Sequence, residues 1–228
     1  ADEMQPYAMR QRITRVLQGA ILSNMFFEPS TRTRVSFGSA FNLLGGEVRE
    51  TSEAKTSSLT KGESLYDTAR VLSGYSDVIV MRHPEPGSVA KFAEASRVPV
   101  INGGDGPNEH PSQALLDLYT MRTEIAAQGQ SVDGLSIALI GDLRFGRAVH
   151  SLCKLLCLYD NIRLHLISPP ELALPSEIVG LLKNAGHEVL EYTDMADGIR
   201  GVDILYVTRT QEERFPSQQE ADRYRGLF

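Results

Sequence analysis

The stretch Ile21-Leu22-Ser23-Asn24-Met25-Phe26-Phe27-Glu28-Pro29-Ser30-Thr31-Arg32-Thr33-Arg34 joins a short apolar run to a polar turn crowded with hydroxyls and cations. Residues 21–27 read as a buried parallel strand, and Phe37, Phe41 and Leu44 downstream share one face of a helix. A strand that passes through a turn directly into a helix is the opening of a βαβ unit. The same pattern repeats outward. Strands are expected at 77–82 and 98–102, and a helix face is formed by Leu65, Ala69 and Leu72. A further helix over 111–127 has Pro111 in its first turn. The polar stretch Gln128-Gly129-Gln130-Ser131 then marks a boundary near 130, giving domains 1–129 and 130–228. A second series follows, with strands at 137–142, 163–167, 189–192 and 202–207. Its helices carry Val149, Leu152, Cys153 and Leu156, then residues 178–184 and 194–200. The expected fold is α/β, two three-layer domains, each a mainly parallel sheet flanked by helices. Ala1-Asp2-Glu3 reads like the middle of a helix, and residues 210–228 contain no clear strand. The first domain is therefore expected to lack its start, and the second its last elements.

The 228 residues are 42% hydrophobic and 23% charged, enough apolar surface for sizeable cores and too little polar sequence for general disorder. No run approaches the roughly 20 apolar residues of a membrane span, and no signal-peptide pattern opens the chain. The net charge of −6 argues against a nucleic-acid or anionic-membrane surface. It leaves open a small anionic substrate, which needs only a few local cations. Cys153 and Cys157 lie four apart in an apolar helical pattern and read as core residues; no Cys/His spacing suggests a metal. A cytoplasmic protein of a reducing compartment is the expectation.

Ligands of open parallel sheets bind beyond the carboxyl ends of the strands, so the residues that follow each strand are the candidates. Three hydroxyls interleaved with two arginines over Ser30–Arg34, at a helix start, make a phosphate cradle. The plainer reading is that Ser30 caps the helix while the arginines are solvated. Arg82 ends the next predicted strand, in Met81-Arg82-His83-Pro84. A Gly-rich loop then delivers His110 and Gln113 to the start of a helix. Farther on, Gly141-Asp142-Leu143-Arg144-Phe145-Gly146-Arg147 lacks the G-x-G-x-x-G pattern, which excludes a dinucleotide fingerprint. Arg147 there and Arg209 in Thr208-Arg209-Thr210-Gln211 suit the carboxylates of a small dianionic co-substrate. His83, His150, His165 and His187 have no partner pattern and read as structural or exposed.

Phe26-Phe27-Glu28-Pro29-Ser30-Thr31-Arg32-Thr33-Arg34 resembles the carbamoyl-phosphate signature of the aspartate and ornithine carbamoyltransferases. Met81-Arg82-His83-Pro84 and His110-Pro111-Ser112-Gln113 match that family in order and spacing. The second-domain motifs resemble its aspartate branch; the Ser-Met-Gly and His-Cys-Leu-Pro signatures of the ornithine branch are not found. The resemblance implies transfer of a carbamoyl group from carbamoyl phosphate to L-aspartate, an early step of pyrimidine biosynthesis, in an interdomain cleft without metal or cofactor. It implies that Ser30, Thr31, Arg32 and Thr33 hold the phosphate and that Arg82 bridges phosphate and carbonyl oxygens. His110 and Thr33 would donate to the carbonyl oxygen, Gln113 would contact the carbamoyl NH₂, and Arg147, Arg209 and Gln211 would bind aspartate. Glu28 is implied as an interdomain ion-pair partner. Ser57 (or Ser58) and Lys61 are implied to reach a neighbouring subunit's site in a homotrimer, to which regulatory or inactive chains could attach. Ornithine carbamoyltransferase and a catalytically silent carbamoyl-phosphate-binding subunit are the alternatives; the arginine pair opposes a cationic acceptor such as ornithine.

Overall fold

Two separate four-stranded sheets organise the computed structural model, which describes residues 1–51 and 62–226. By packing, the chain divides into Ala1–Asn108 and Glu109–Phe228. The first unit contains α1 (Gln5–Ala8), β1 (Ile21–Phe26), α2 (Arg32–Leu43), β2 (Glu47–Thr51) and α3 (Leu65–Leu72). It continues with β3 (Val78–His83), α4 (Ser88–Ala95) and β4 (Val100–Asp105). Its strands are all parallel, in the order β2-β1-β3-β4. Side chains alternate across this sheet with the period of two that a strand imposes. Leu22, Phe26 and Val80 pack with Phe37 and Phe41 of α2 on one face. Met25, Ile79 and Met81 pack with Ala69 of α3 and Val89 and Phe92 of α4 on the other. Three layers result.

The second unit contains α5 (Pro111–Ala126), β5 (Ser136–Gly141), α6 (Arg147–Leu156), β6 (Arg163–Ile167) and α7 (Ser176–Asn184). After these come β7 (Glu188–Tyr192), α8 (Met195–Gly198), β8 (Ile204–Thr208) and α9 (Gln218–Asp222). Its sheet, again parallel, has the order β7-β6-β5-β8. Ile137, Leu139 and Leu164 meet Met121 and Ile125 of α5, Leu152 and Leu156 of α6, and Ile178 and Leu182 of α7 on one face. Ala138, Ile140 and Ile167 form a smaller cluster on the other, where α8 packs against β6 and β7. Cys153 lies inside the larger core and Cys157 at its edge; both are free thiols.

By packing, α5 groups with the second unit, because it buries its apolar stripe against α6. β2 and α4 have no counterpart in the sequence reading. In the tail, the described residues form a 3-10 turn at Glu212–Arg214 and α9, with no strand.

The end of β5 approaches β8 so closely that only glycine fits between them. Gly141 has φ +113°, and a Cβ there would lie 2.2 Å from the Thr208 carbonyl oxygen. Gly141→Ala is expected to cost about 2 kcal/mol, from left-handed strain and overpacking together. A lowered urea midpoint with unchanged slope would show it; a wild-type midpoint would mean that β8 gives way without cost.

Candidate functional site

In the first sheet β1 lies between β2 and β3, so the chain leaves β1 to one side and later returns on the other. The crevice beyond the carboxyl ends of β1 and β3 is the switch point at which open parallel sheets take ligands. Phe27 N–H donates to the Arg82 carbonyl (2.9 Å), carrying the β1–β3 ladder one residue past β1 and setting Arg82 beside the turn. Arg82 Nε donates to Glu28 Oε2 (3.0 Å) and Nη1 to Ser30 Oγ (3.2 Å). Both charged side chains are largely enclosed, with 13% and 19% of their surfaces exposed. In water-poor surroundings a charge-assisted pair fixes the guanidinium fork more firmly than at a surface.

Helix α2 begins at Arg32 with Thr31 as its N-cap and no side chain bonded back to close it. Helix-start amides therefore lie next to Ser30, the arrangement that attracts an anion. Ser30 does not serve as the cap of the plainer reading: its hydroxyl accepts from Arg82. Thr31 and Arg32 are exposed, whereas Thr33 and Arg34 are half-buried. Arg34 is turned towards β2, with its Nε 4.0 Å from Glu50 Oε2 and its carbonyl accepting from Asn24 Nδ2 (3.0 Å). Glu28 pairs with Arg82 of its own unit. His83 packs edge-on against Phe27, and its Nδ1 accepts from Glu85 N–H (3.1 Å). Burial holds its pKa below the usual histidine value, against the opposing pull of Glu85 and Glu28, so it is a neutral structural ring at pH 7.

The loop after β4 is organised by a residue that the sequence reading passed over. Asp105 is buried, and its carboxylate accepts from Gly87 N–H (2.9 Å), Asn108 Nδ2 (2.9 Å) and Asn102 Nδ2 (3.1 Å). An aspartate between glycines and flanked by asparagines is the local signal that could have exposed it.

The second sheet has its own switch point, between β5 and β8, since β6 and β7 lie on the far side of β5. Asp142, completely buried, stitches the two loops there. Its Oδ1 accepts from Phe145 N–H (2.9 Å) and its Oδ2 from Gln211 N–H (3.0 Å). Arg147 is the first residue of α6 and is 9% exposed. Arg209 donates from Nη1 and Nη2 to the two carboxylate oxygens of Glu213 (3.0 and 2.6 Å). That pairing lowers the Glu213 pKa and raises that of Arg209. Gln211 Nε2 donates to the Arg209 carbonyl (2.9 Å).

In the same unit His110 is the N-cap residue of α5, with its ring Nδ1 3.3 Å from Ser112 Oγ. Its backbone N–H donates to Ser151 Oγ of α6 (2.8 Å). Ser151 also donates to Glu109, which pairs with Lys154. Gln113, on the first turn of α5, donates from Nε2 to Asp117 Oδ1 (2.9 Å). His150, His165 and His187 are buried and bonded to backbone carbonyls. Within each unit some of the predicted residues meet in pairs. Ser30 and Arg82 touch in the first; His110 with Gln113, and Arg209 with Gln211, are neighbours in the second. Ser57 and Lys61 lie outside the described residues.

A cavity of about 600 Å³ beside Arg10, Arg12 and Arg15 opens near Gly19 and Glu47, at the amino ends of β1 and β2, and holds none of the predicted site residues. Among the described residues no group of three or more His, Cys, Asp or Glu is placed to hold a metal ion. No helix among them is long and apolar enough to cross a membrane.

Residues 1–123 match the family model described as "Aspartate/ornithine carbamoyltransferase, carbamoyl-P binding domain". The whole chain is 68% identical to the aspartate carbamoyltransferase catalytic subunit of Cellvibrio japonicus, covering 68% of that protein. The chain belongs to the aspartate/ornithine carbamoyltransferase family. Another member, the catalytic subunit from Saccharophagus degradans, is 69% identical over the full chain and likewise 68% covered. Solved carbamoyltransferase structures agree. The catalytic subunit of M. jannaschii aspartate transcarbamoylase superposes with a TM-score of 0.86 at 47% identity, over 99% of this chain and 72% of that one. The Trypanosoma cruzi enzyme in complex with carbamoyl phosphate and aspartate gives a TM-score of 0.88 at 38% identity, over 99% and 71%. The carbamoyltransferase family model runs past Asn108 through most of α5, so it takes in both His110 and Gln113.

Proposed function

We propose that the chain transfers the carbamoyl group of carbamoyl phosphate to the amino group of L-aspartate, giving N-carbamoyl-L-aspartate and phosphate for pyrimidine biosynthesis. The observation that carries this reading is Arg82, fixed by Glu28 and Ser30 at the switch point of the first sheet, beside the open start of α2. Ser30, Thr31, Arg32 and Thr33 take the phosphate. Arg82 spans the phosphate and the carbonyl oxygen, to which His110 and Thr33 also donate. The amine nitrogen of aspartate attacks the carbonyl carbon and negative charge grows on its oxygen, where preorganised donors act most strongly. The C–O bond to phosphate then breaks, and the departing phosphate accepts the amine proton. Gln113 receives the carbamoyl NH₂, while Arg147, Arg209 and Gln211 hold the carboxylates of aspartate. Holding both substrates side by side removes much of the entropic barrier without a covalent intermediate.

In this reading the working form is a cytoplasmic homotrimer in which Ser57 and Lys61 complete a neighbour's site, with regulatory or inactive chains as further partners. A carbamoyl-transfer assay on the full protein, with aspartate and ornithine as separate acceptors, tests it. Transfer to aspartate alone is expected. Transfer to ornithine alone would replace the acceptor assignment, and carbamoyl-phosphate binding without transfer to either would mark a silent subunit.

A further inference from the structure

Gln113 is predicted to meet the carbamoyl NH₂, but a glutamine amide can turn either its oxygen or its nitrogen outward. Which one it presents depends on what holds the other. One helical turn on, Asp117 is in place to decide this. Its Oδ1 accepts from Gln113 Nε2 (2.9 Å), and its Oδ2 accepts from the phenol of Tyr206 on β8 (2.9 Å). Burial first, and then the adjacent Asp117 carboxylate, push the Tyr206 phenol well above its usual pKa, so it stays a protonated donor. An ionised carboxylate can only accept, so the Gln113 NH₂ is drawn towards Asp117 and the Gln113 carbonyl oxygen is left to face away.

We infer that Asp117, braced by Tyr206, is a positioning residue that fixes the Gln113 amide with its oxygen outward and so selects an acyl phosphate bearing NH₂ over one bearing methyl. The inference rests on the carbamoyl-phosphate reading above and adds the source of discrimination against acetyl phosphate. The two ligands share the phosphate and the carbonyl and differ only in the group that Gln113 meets. A site that offers an acceptor at that point gains from the amide and loses with the methyl, because the acceptor is then left without its partner.

Asp117→Asn makes the test selective. The Tyr206 phenol donates to the Asn oxygen, which turns the Asn NH₂ towards Gln113 and reverses the glutamine, presenting a donor to the carbamoyl NH₂. Calorimetric titration of the full protein with carbamoyl phosphate, acetyl phosphate and inorganic phosphate is the measurement. Carbamoyl phosphate is expected to bind about tenfold more weakly to the variant, with acetyl phosphate and inorganic phosphate changed less than twofold. Tyr206→Phe, which keeps the Gln113–Asp117 bond but loses its brace, should move carbamoyl phosphate in the same direction by a smaller factor. Equal weakening of all three ligands would reduce Asp117 to a merely structural role and overturn the inference. So would unchanged carbamoyl-phosphate binding in both variants. Failure of the unsubstituted protein to bind carbamoyl phosphate at all would instead sink the functional reading itself.

Discussion

Replacing Arg82 with alanine is expected to lower kcat/KM for carbamoyl phosphate by on the order of 10³- to 10⁴-fold, while the protein still folds. Two losses combine. The first is a charge-assisted donor to oxygens that gain charge during transfer, and one such donor is worth about 3 kcal/mol in comparable sites. The second comes from Glu28, whose carboxylate is only 19% exposed and loses the Arg82 Nε that donates to it at 3.0 Å. With that cation gone, the Glu28 carboxylate beside the proposed phosphate cradle repels the incoming dianion more strongly. Two companion variants separate these terms. Arg82→Lys keeps the charge and loses the fork that reaches Glu28 and Ser30 together, so a loss of about 10²-fold is expected. Adding Glu28→Gln to Arg82→Ala should recover about tenfold by removing the negative charge next to the cradle. Steady-state kinetics with carbamoyl phosphate varied, beside a thermal melt, give all three numbers. An Arg82→Ala protein within tenfold of the parent would remove Arg82 from the chemistry.

The parts of the fold that were legible in the sequence are those specified locally. Residues 21–34 announce strand, turn and helix through an apolar run followed by hydroxyls and cations, and β1 and α2 follow that order. β2 gives no such signal: Glu47, Arg49 and Glu50 make it an edge strand with little apolar surface to mark it. α4 starts from Gly87 at φ +75° after a proline-rich turn, with no capping side chain to announce it. The boundary expected near 130 rests on a polar stretch, whereas the packing of Met121 and Ile125 into the core of the second unit has no local signal there. The residues expected to touch substrate could be read because they directly follow strands. Their partners could not. Glu28 meets Arg82 from 54 positions away, and Asp142 meets Gln211 from 69. Those pairings follow from strand order, through which β1 lies next to β3 and β5 next to β8.

Strand order also explains why Asp142, rather than any arginine, carries the second large effect. Arg209 and Gln211 sit on a loop that is held against the β5 turn through one carboxylate, from Asp142 Oδ2 to Gln211 N–H. The same carboxylate shapes that turn through Phe145 N–H, two residues before Arg147. Asp142→Ala would release both loops and leave two amides without their acceptor, at a cost of about 2–4 kcal/mol in stability. The residues proposed to bind aspartate would no longer be held in register, and a displacement near 1 Å is enough to lower kcat/KM for aspartate by on the order of 10²-fold. Carbamoyl-phosphate binding, proposed at Ser30 and Arg82 in the other unit, should change little. Asp142→Asn is expected to fall between the two, because its single carbonyl oxygen can satisfy one amide while its NH₂ confronts the other. Denaturant unfolding, with titrations of each substrate, reads the stability and the two affinities separately. If carbamoyl phosphate weakened as much as aspartate, Asp142 would be supporting the whole protein rather than the loops that carry Arg147, Arg209 and Gln211.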